Sequence, residues 1–229
     1  MRTVVVTGGH GGIGTAVAER FRAGGDTVIA PGRDECDVTD EASVARFFAA
    51  VGPVDVLVNN AGVSSSAPLA RASLADWQRQ LDVNATGAFL CTRAVLPGML
   101  AADSGRIVMV ASTAAKVGTR YIAGYTASKH AVVGLMRAAA AEVAGTGVTV
   151  NAVCPGFVRT AMTDASVRTI VAASGRSAAD AEAALAAMQP LGRLLEPDEV
   201  AFAVAFLAAP RAGAVNGQTV VLDGGGVQA

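Results

Sequence analysis

Tyr125 and Lys129 close the stretch Tyr-Thr-Ala-Ser-Lys, and on a helix that spacing places a phenol and an ammonium on one face. A lysine charge near a phenol favours the phenolate and lowers a pKa that is about 10 when unperturbed. A phenol tuned in this way can exchange a proton with a bound oxygen near neutral pH, which is general acid/base chemistry. The only other tyrosine, Tyr121, has Tyr125 and not a lysine at its fourth following position. An isolated pair of this kind is more often a solvated helix face, so the elements around it have to decide.

Thr3 to Thr7 is a β-branched run and predicts a parallel strand buried on both faces. It enters Gly8-Gly9-His10-Gly11-Gly12-Ile13-Gly14, after which Ile13, Val17, Ala18 and Phe21 keep helical spacing until Gly24-Gly25. Strand, glycine-rich turn and helix N-terminus together make an anion site, because glycines admit a pyrophosphate close to free backbone N–H groups. Thr27 to Ala30 reads as a second strand ending at Pro31-Gly32-Arg33. Glu35 to Val38 has strand composition, yet too few residues separate it from the second strand for a parallel crossover, which needs about a dozen or more. The crossover helix is therefore expected to be missing, with residues 34–39 a short loop or irregular edge.

Asp40 to Val51 predicts a helix capped by Thr39 or Asp40, with Val44, Phe47 and Phe48 inward. Val54 to Val58 is the next strand, and Asn59-Asn60-Ala61-Gly62 stands at its carboxyl end, where amides can line a ligand cleft. Ser73 caps a long apolar helix in which Asn84 predicts a kink or π-bulge. Arg106 to Val110 is a strand with Ser112 beyond its end, and the helix bearing Tyr125 and Lys129 runs on to Gly145. A strand from Val148 stops at Pro155-Gly156, and Thr160 to Gln189 predicts two short helices on a flap, about 160–190. Pro197 opens a further helix, and Thr219 to Leu222 is a last strand. The pattern is α/β: a single doubly wound Rossmann-type parallel sheet with helices on both faces, in one domain covering 1–229.

Of the 229 residues 52% are hydrophobic and 16% charged, with a mean hydropathy of +0.45; that is apolar for a monomer, and some surface is expected to meet a copy of the chain. A net charge of -1 offers no footprint for nucleic acid or an anionic membrane. Cys36, Cys91 and Cys154 lack the spacing of a disulfide framework or zinc site, and read as buried thiols in a reducing compartment. His10 and His130 match no ligand pattern, so no metal is expected. The strand-like run begins at Thr3 with no signal-like segment before it, and no apolar run reaches the roughly 20 residues of a membrane span. A cytoplasmic location is the expectation.

Four motifs in this order and spacing resemble the short-chain dehydrogenase/reductase family over essentially the whole chain. Thr7-Gly8-Gly9-His10-Gly11-Gly12-Ile13-Gly14 is similar to its T-G-x-x-x-G-x-G turn and Asn59-Asn60-Ala61-Gly62 to its N-N-A-G. Ser112 stands thirteen residues before Tyr125, and Pro155-Gly156 is followed by Thr160. The resemblance implies Tyr125 as general acid/base, Ser112 holding the substrate oxygen, Lys129 binding the nicotinamide ribose, and Asn84 supporting a relay water. It implies a cofactor cleft lined by Gly8, His10, Gly12, Ile13, Gly14, Arg33, Asp37, Val38, Asn60, Ala61, Gly62, Tyr125, Lys129, Pro155, Gly156, Val158 and Thr160. It also implies a homotetramer or homodimer, through apolar faces at Phe89 to Val95 and Val132 to Met136.

Thr149 to Thr160, including Asn151 to Val158, looks especially like bacterial 3-oxoacyl-thioester reductases and aromatic polyketide ketoreductases, which implies reduction of a ketone carried on acyl carrier protein or coenzyme A. Arg168 and Arg176 could meet the carrier phosphate or be solvated. The alternatives are an alcohol or dihydrodiol dehydrogenase working oxidatively, and, disfavoured because Ser112, Tyr125 and Lys129 are all present, a non-catalytic dinucleotide sensor. Gly32 lacks the acid that would bind an NAD ribose and Arg33 offers a guanidinium to a 2′-phosphate, so NADP(H) is favoured over NAD(H).

Overall fold

A computed structural model describes residues 1–228; Ala229, the last residue of the domain expected from sequence, lies outside the described residues. Six parallel strands form one sheet in the order β2-β1-β3-β4-β5-β6. They are β1 (Thr3–Val6), β2 (Thr27–Ile29), β3 (Val56–Asn59), β4 (Gly105–Val110), β5 (Val148–Pro155) and β6 (Thr219–Leu222). Alternate strand residues feed two cores, as a pleat with both faces covered requires. Val5, Leu57, Ile107 and Met109 meet α2 (Glu41–Val51), α4 (Gly87–Ala101) and α5 (Ala123–Glu142) on one face. Val4, Val6, Val56, Val58, Val108 and Val110 meet α1 (Gly12–Ala23) and α8 (Pro197–Leu207) on the other. Each fully buried aliphatic side chain of this kind contributes roughly 1.5–3 kcal/mol.

Strand order reverses between β1 and β3, so the loops after these strands open a crevice where open α/β sheets bind ligands. The missing crossover helix is borne out. Residues 33–39 form turns, closed by Cys36 N–H to the Gly32 carbonyl at 3.1 Å and Asp40 N–H to the Asp37 carbonyl at 3.1 Å, and β2 remains the sheet edge. Val38 reaches across to α4 at Gly87, where a Cβ would stand 2.7 Å from its side chain. Asp40 caps α2 by accepting Ala42 N–H; Val44 and Phe48 are buried and Phe47 partly so.

Ser73 caps α3 (Leu74–Leu81) by accepting the N–H of Asp76. A π-helical segment, Asp82–Thr86, joins α3 to α4 and carries Asn84, as its sequence position suggested. The flap holds α6 (Ala161–Ser174) and α7 (Ala178–Ala186), packed through Val167, Ala181 and Leu185. Pro197 occupies the first turn of α8 behind a Glu196/Glu199 capping box.

On the apolar faces expected to meet a copy, Leu90, Val95, Val132, Val133 and Met136 pack into the chain's own core, while Phe89 is exposed, at 43%. Phe202 and Phe206 on α8 are more exposed still. Among the described residues no helix is long and apolar enough to cross a membrane.

Candidate active site

Tyr125 and Lys129 lie in the first two turns of α5, and Ser112 lies just beyond the end of β4. Ser112 is buried and caps the short turn Thr113–Ala115 by accepting the Ala114 N–H at 3.1 Å, which fixes its hydroxyl at the sheet's carboxyl edge. Lys129 is 5% exposed, donates from Nζ to the Val110 carbonyl at 2.8 Å, and stands 5.6 Å from the centre of the Tyr125 ring. β4 and α5 thus bring the serine, the phenol and the ammonium to one end of the sheet.

The electrostatics differ from the simple Tyr/Lys expectation. Burial pushes the Tyr125 phenol above its ordinary value, and Ser112 counters only part of that by favouring phenolate. Lys129 does not lower it; burial acts on the lysine itself and brings its pKa down to about 8. The physical reason is that Lys129 is buried and Tyr125 partly so, and desolvation disfavours the charged form of each.

Asn84 is buried and its amide is fully engaged. Oδ1 accepts Val63 N–H at 2.8 Å, while Nδ2 donates to the Val63 carbonyl at 2.9 Å and to Ser128 Oγ at 2.9 Å. It ties the loop after β3 to α5 one residue before Lys129. A Cβ on Gly62 would lie 3.3 Å from Asn84 Oδ1 and 3.6 Å from Lys129 Nζ, so Gly62 stands between the two.

The glycine-rich turn is built from inside. Thr7 Oγ1 accepts the N–H groups of Asn60 and Ala61 at 3.1 Å, and Asn60 Nδ2 donates to the Thr7 and Gly8 carbonyls at 3.0 Å. Asn59 donates to Thr92 Oγ1 and Met109 Sδ. Both amide nitrogens therefore brace the turn and core, while Asn60 Oδ1 makes no hydrogen bond among the described residues. Gly8 has φ +64 and Gly14 would place a Cβ 2.4 Å from the Gly8 carbonyl, so neither position accepts a side chain.

The N-terminus of α1, at Gly12, Ile13 and Gly14, has no side-chain cap and no acidic residue in its first turn. Free N–H groups there suit the pyrophosphate of a dinucleotide. Thr160 folds over this end of α1, its methyl 2.9 Å from where a Gly12 Cβ would be. Pro155 closes β5, Gly156 N–H bonds the Leu222 carbonyl at 2.9 Å, and Val158 is bridged to Leu195. Arg33 and Asp37 bond one another, Nε to Oδ2 at 3.1 Å, while His10 lies against Gly32 at the end of β2.

Two contacts carry no motif signal. Gly9 packs so closely on the end of β2 that a Cβ would lie 2.5 Å from the Ala30 carbonyl oxygen, and Glu35 bonds Gly32 N–H at 2.7 Å within the shortened loop.

A family model described as enoyl-(acyl carrier protein) reductase matches residues 30–226. The chain is 45% identical, over 98% of its length and 87% of the relative's, to a Streptomyces coelicolor protein named as a ketoacyl reductase. The chain belongs to the short-chain dehydrogenase/reductase family. Another member of the family, cis-4-hydroxycyclohexanecarboxylate dehydrogenase of Sinomonas cyclohexanicum, is 39% identical over 98% of this chain and 96% of its own. Among solved members, a variant of actinorhodin polyketide ketoreductase with NADPH superposes with a TM-score of 0.89 at 36% identity, covering 98% of this chain and 96% of that one. As a short-chain dehydrogenase/reductase, the chain is an oxidoreductase acting between a carbonyl and a secondary alcohol with a nicotinamide cofactor.

Proposed function

We propose that this enzyme reduces the ketone of a 3-oxoacyl thioester or polyketide-like substrate with NADP(H), Tyr125 acting as the proton donor. One juxtaposition supports the reading: β4 and α5 bring Ser112, Tyr125 and Lys129 together at the carboxyl end of the sheet, with Lys129 Nζ 5.6 Å from the centre of the Tyr125 ring. Reduction of a ketone builds negative charge on its oxygen, and a neutral phenol and a hydroxyl aimed at that oxygen stabilise the charge as it forms. The nicotinamide, when bound, supplies the hydride. Lys129 lies where its ammonium would hold the cofactor ribose and supply positive charge beneath the phenol. Asn84 keeps the loop after β3 and the Ser128 turn in register, and with them the position of Lys129. α1, with its uncapped N-terminus, would hold the pyrophosphate.

The thioester reading is supported by the ketoacyl reductase and polyketide ketoreductase among the relatives, and by exposed Arg168 and Arg176 on and beside α6, available to a carrier phosphate. Exposed Phe89, Phe202 and Phe206 support a homo-oligomer, a tetramer or dimer. A second reading, oxidation of a cyclic alcohol, is favoured by the similarity to cis-4-hydroxycyclohexanecarboxylate dehydrogenase. Assays with an acetoacetyl thioester and a trans-enoyl thioester with NADPH, and a cyclic hydroxy acid with each oxidised dinucleotide, separate the possibilities. NADPH oxidation with the acetoacetyl thioester and none with the enoyl thioester is the expected result. Turnover confined to the hydroxy acid overturns it.

A further inference from the structure

The backbone N–H of Gly32, at the end of β2, points at a carboxylate from its own loop. Oε2 of Glu35 accepts it at 2.7 Å, and the same oxygen lies 3.6 Å from Nε2 of His10. His10 belongs to the glycine-rich turn and its ring lies flat on Gly32, where a Cβ would come within 2.5 Å of Nδ1. One backbone donor and a nearby imidazole from a separate segment therefore face one carboxylate oxygen, an arrangement that would suit a phosphate oxygen equally well. The loop that carries Glu35 here is the one that replaces the missing crossover helix, closed by Cys36 N–H on the Gly32 carbonyl.

The neighbouring charges are also mutually engaged. Arg33 turns its Nε to Asp37 at 3.1 Å while its side chain stays 83% exposed. Asp37 is held by Thr39 through both its backbone N–H and its hydroxyl. Asp34 is exposed and completes the set of charges around Gly32.

We propose that Glu35 is a specificity-determining residue: its carboxylate occupies the anion position on Gly32 N–H beside His10, and a cofactor 2′-phosphate binds there only by displacing it. The inference rests on the NADP(H) reading above. NADH carries a hydroxyl at that carbon, which can donate to the carboxylate where it stands, so no displacement is needed. Glu35 thus narrows the preference for NADPH over NADH that Gly32 and Arg33 create.

The test is an equilibrium titration of the full chain with NADPH and with NADH, followed by nicotinamide fluorescence, for wild type, Glu35→Gln and Asp34→Asn. Glu35→Gln is expected to tighten NADPH by roughly three- to tenfold, as removal of a like charge about 4 Å from a phosphate should, and to leave NADH unchanged or weaker. Asp34→Asn makes the same change in net charge one residue away and is expected to move NADPH by less than about twofold. An unchanged NADPH-to-NADH ratio in Glu35→Gln, or an equal shift in Asp34→Asn, overturns the proposal while leaving the cofactor reading in place. A wild-type chain that binds neither dinucleotide overturns both.

Discussion

Burial raises the pKa of the Tyr125 phenol, and the hydrogen bond from Ser112, which favours phenolate, offsets only part of that. A donor whose pKa lies above its ordinary value stays protonated through neutral pH, which suits ketone reduction; oxidation needs the phenolate and gains as pH rises. The rate of reduction should therefore be level from about pH 6 to 7.5 and first decline near pH 8, where Lys129 loses its proton. A rate profile with its acid limb at neutral pH would contradict this. Lys129 also carries a stability cost. Unfolded, it keeps its proton to its ordinary 10.5; folded, only to about 8. Between those values the unfolded chain binds more protons, so this lysine's contribution to stability is least favourable below pH 8 and improves as pH rises towards 10.5. Lys129→Met is expected to abolish turnover yet raise the melting temperature at pH 7, by about 2–4 °C for each kcal/mol regained. The gain should shrink by pH 10, as thermal melts at the two pH values would show; a melting temperature that falls at pH 7 would contradict the account.

The turn between β1 and α1 depends on a contact that no motif records. Gly9 lies against the end of β2 with no room for a methyl group: a Cβ would meet the Ala30 carbonyl carbon at 2.7 Å and its oxygen at 2.5 Å. Those are backbone atoms just beyond β2, where Gly9 N–H also bonds the Pro31 carbonyl at 3.0 Å, so they cannot easily step aside. Gly9→Ala should cost about 1–3 kcal/mol of stability and weaken dinucleotide binding by about tenfold, measured by thermal melts and fluorescence titration; a variant that binds and melts like wild type would refute the packing. This contact also marks where sequence reading stops. The β-branched runs of β1, β3 and β4, the caps Asp40 and Ser73, the break at Asn84 and the absent crossover helix follow from periodicity, side-chain chemistry and chain length. Those are local properties. The tyrosine's raised pKa, the Asn60 bonds to the Thr7 and Gly8 carbonyls and the packing of α4 and α5 depend on which distant groups the fold brings together, and spacing alone does not encode that.

On the scale of the whole molecule, the sheet has both faces covered, and α8 leaves two exposed phenylalanines, Phe202 and Phe206, with Arg20 stacked 5.0 Å from the Phe202 ring. Replacing both phenylalanines with glutamate should lower the mass in solution, read by light scattering, from an oligomer to a smaller species; an unchanged mass would place the interface elsewhere. The centre of the account is that one phenol, kept neutral by the fold, delivers the proton. Tyr125→Phe removes only that hydroxyl, so single-turnover reduction of an acetoacetyl thioester alongside NADPH titration tests it most directly. The account predicts a rate lowered by a factor on the order of 10² or more, with NADPH affinity within about threefold of wild type. A rate close to wild type with the cofactor still bound would contradict it.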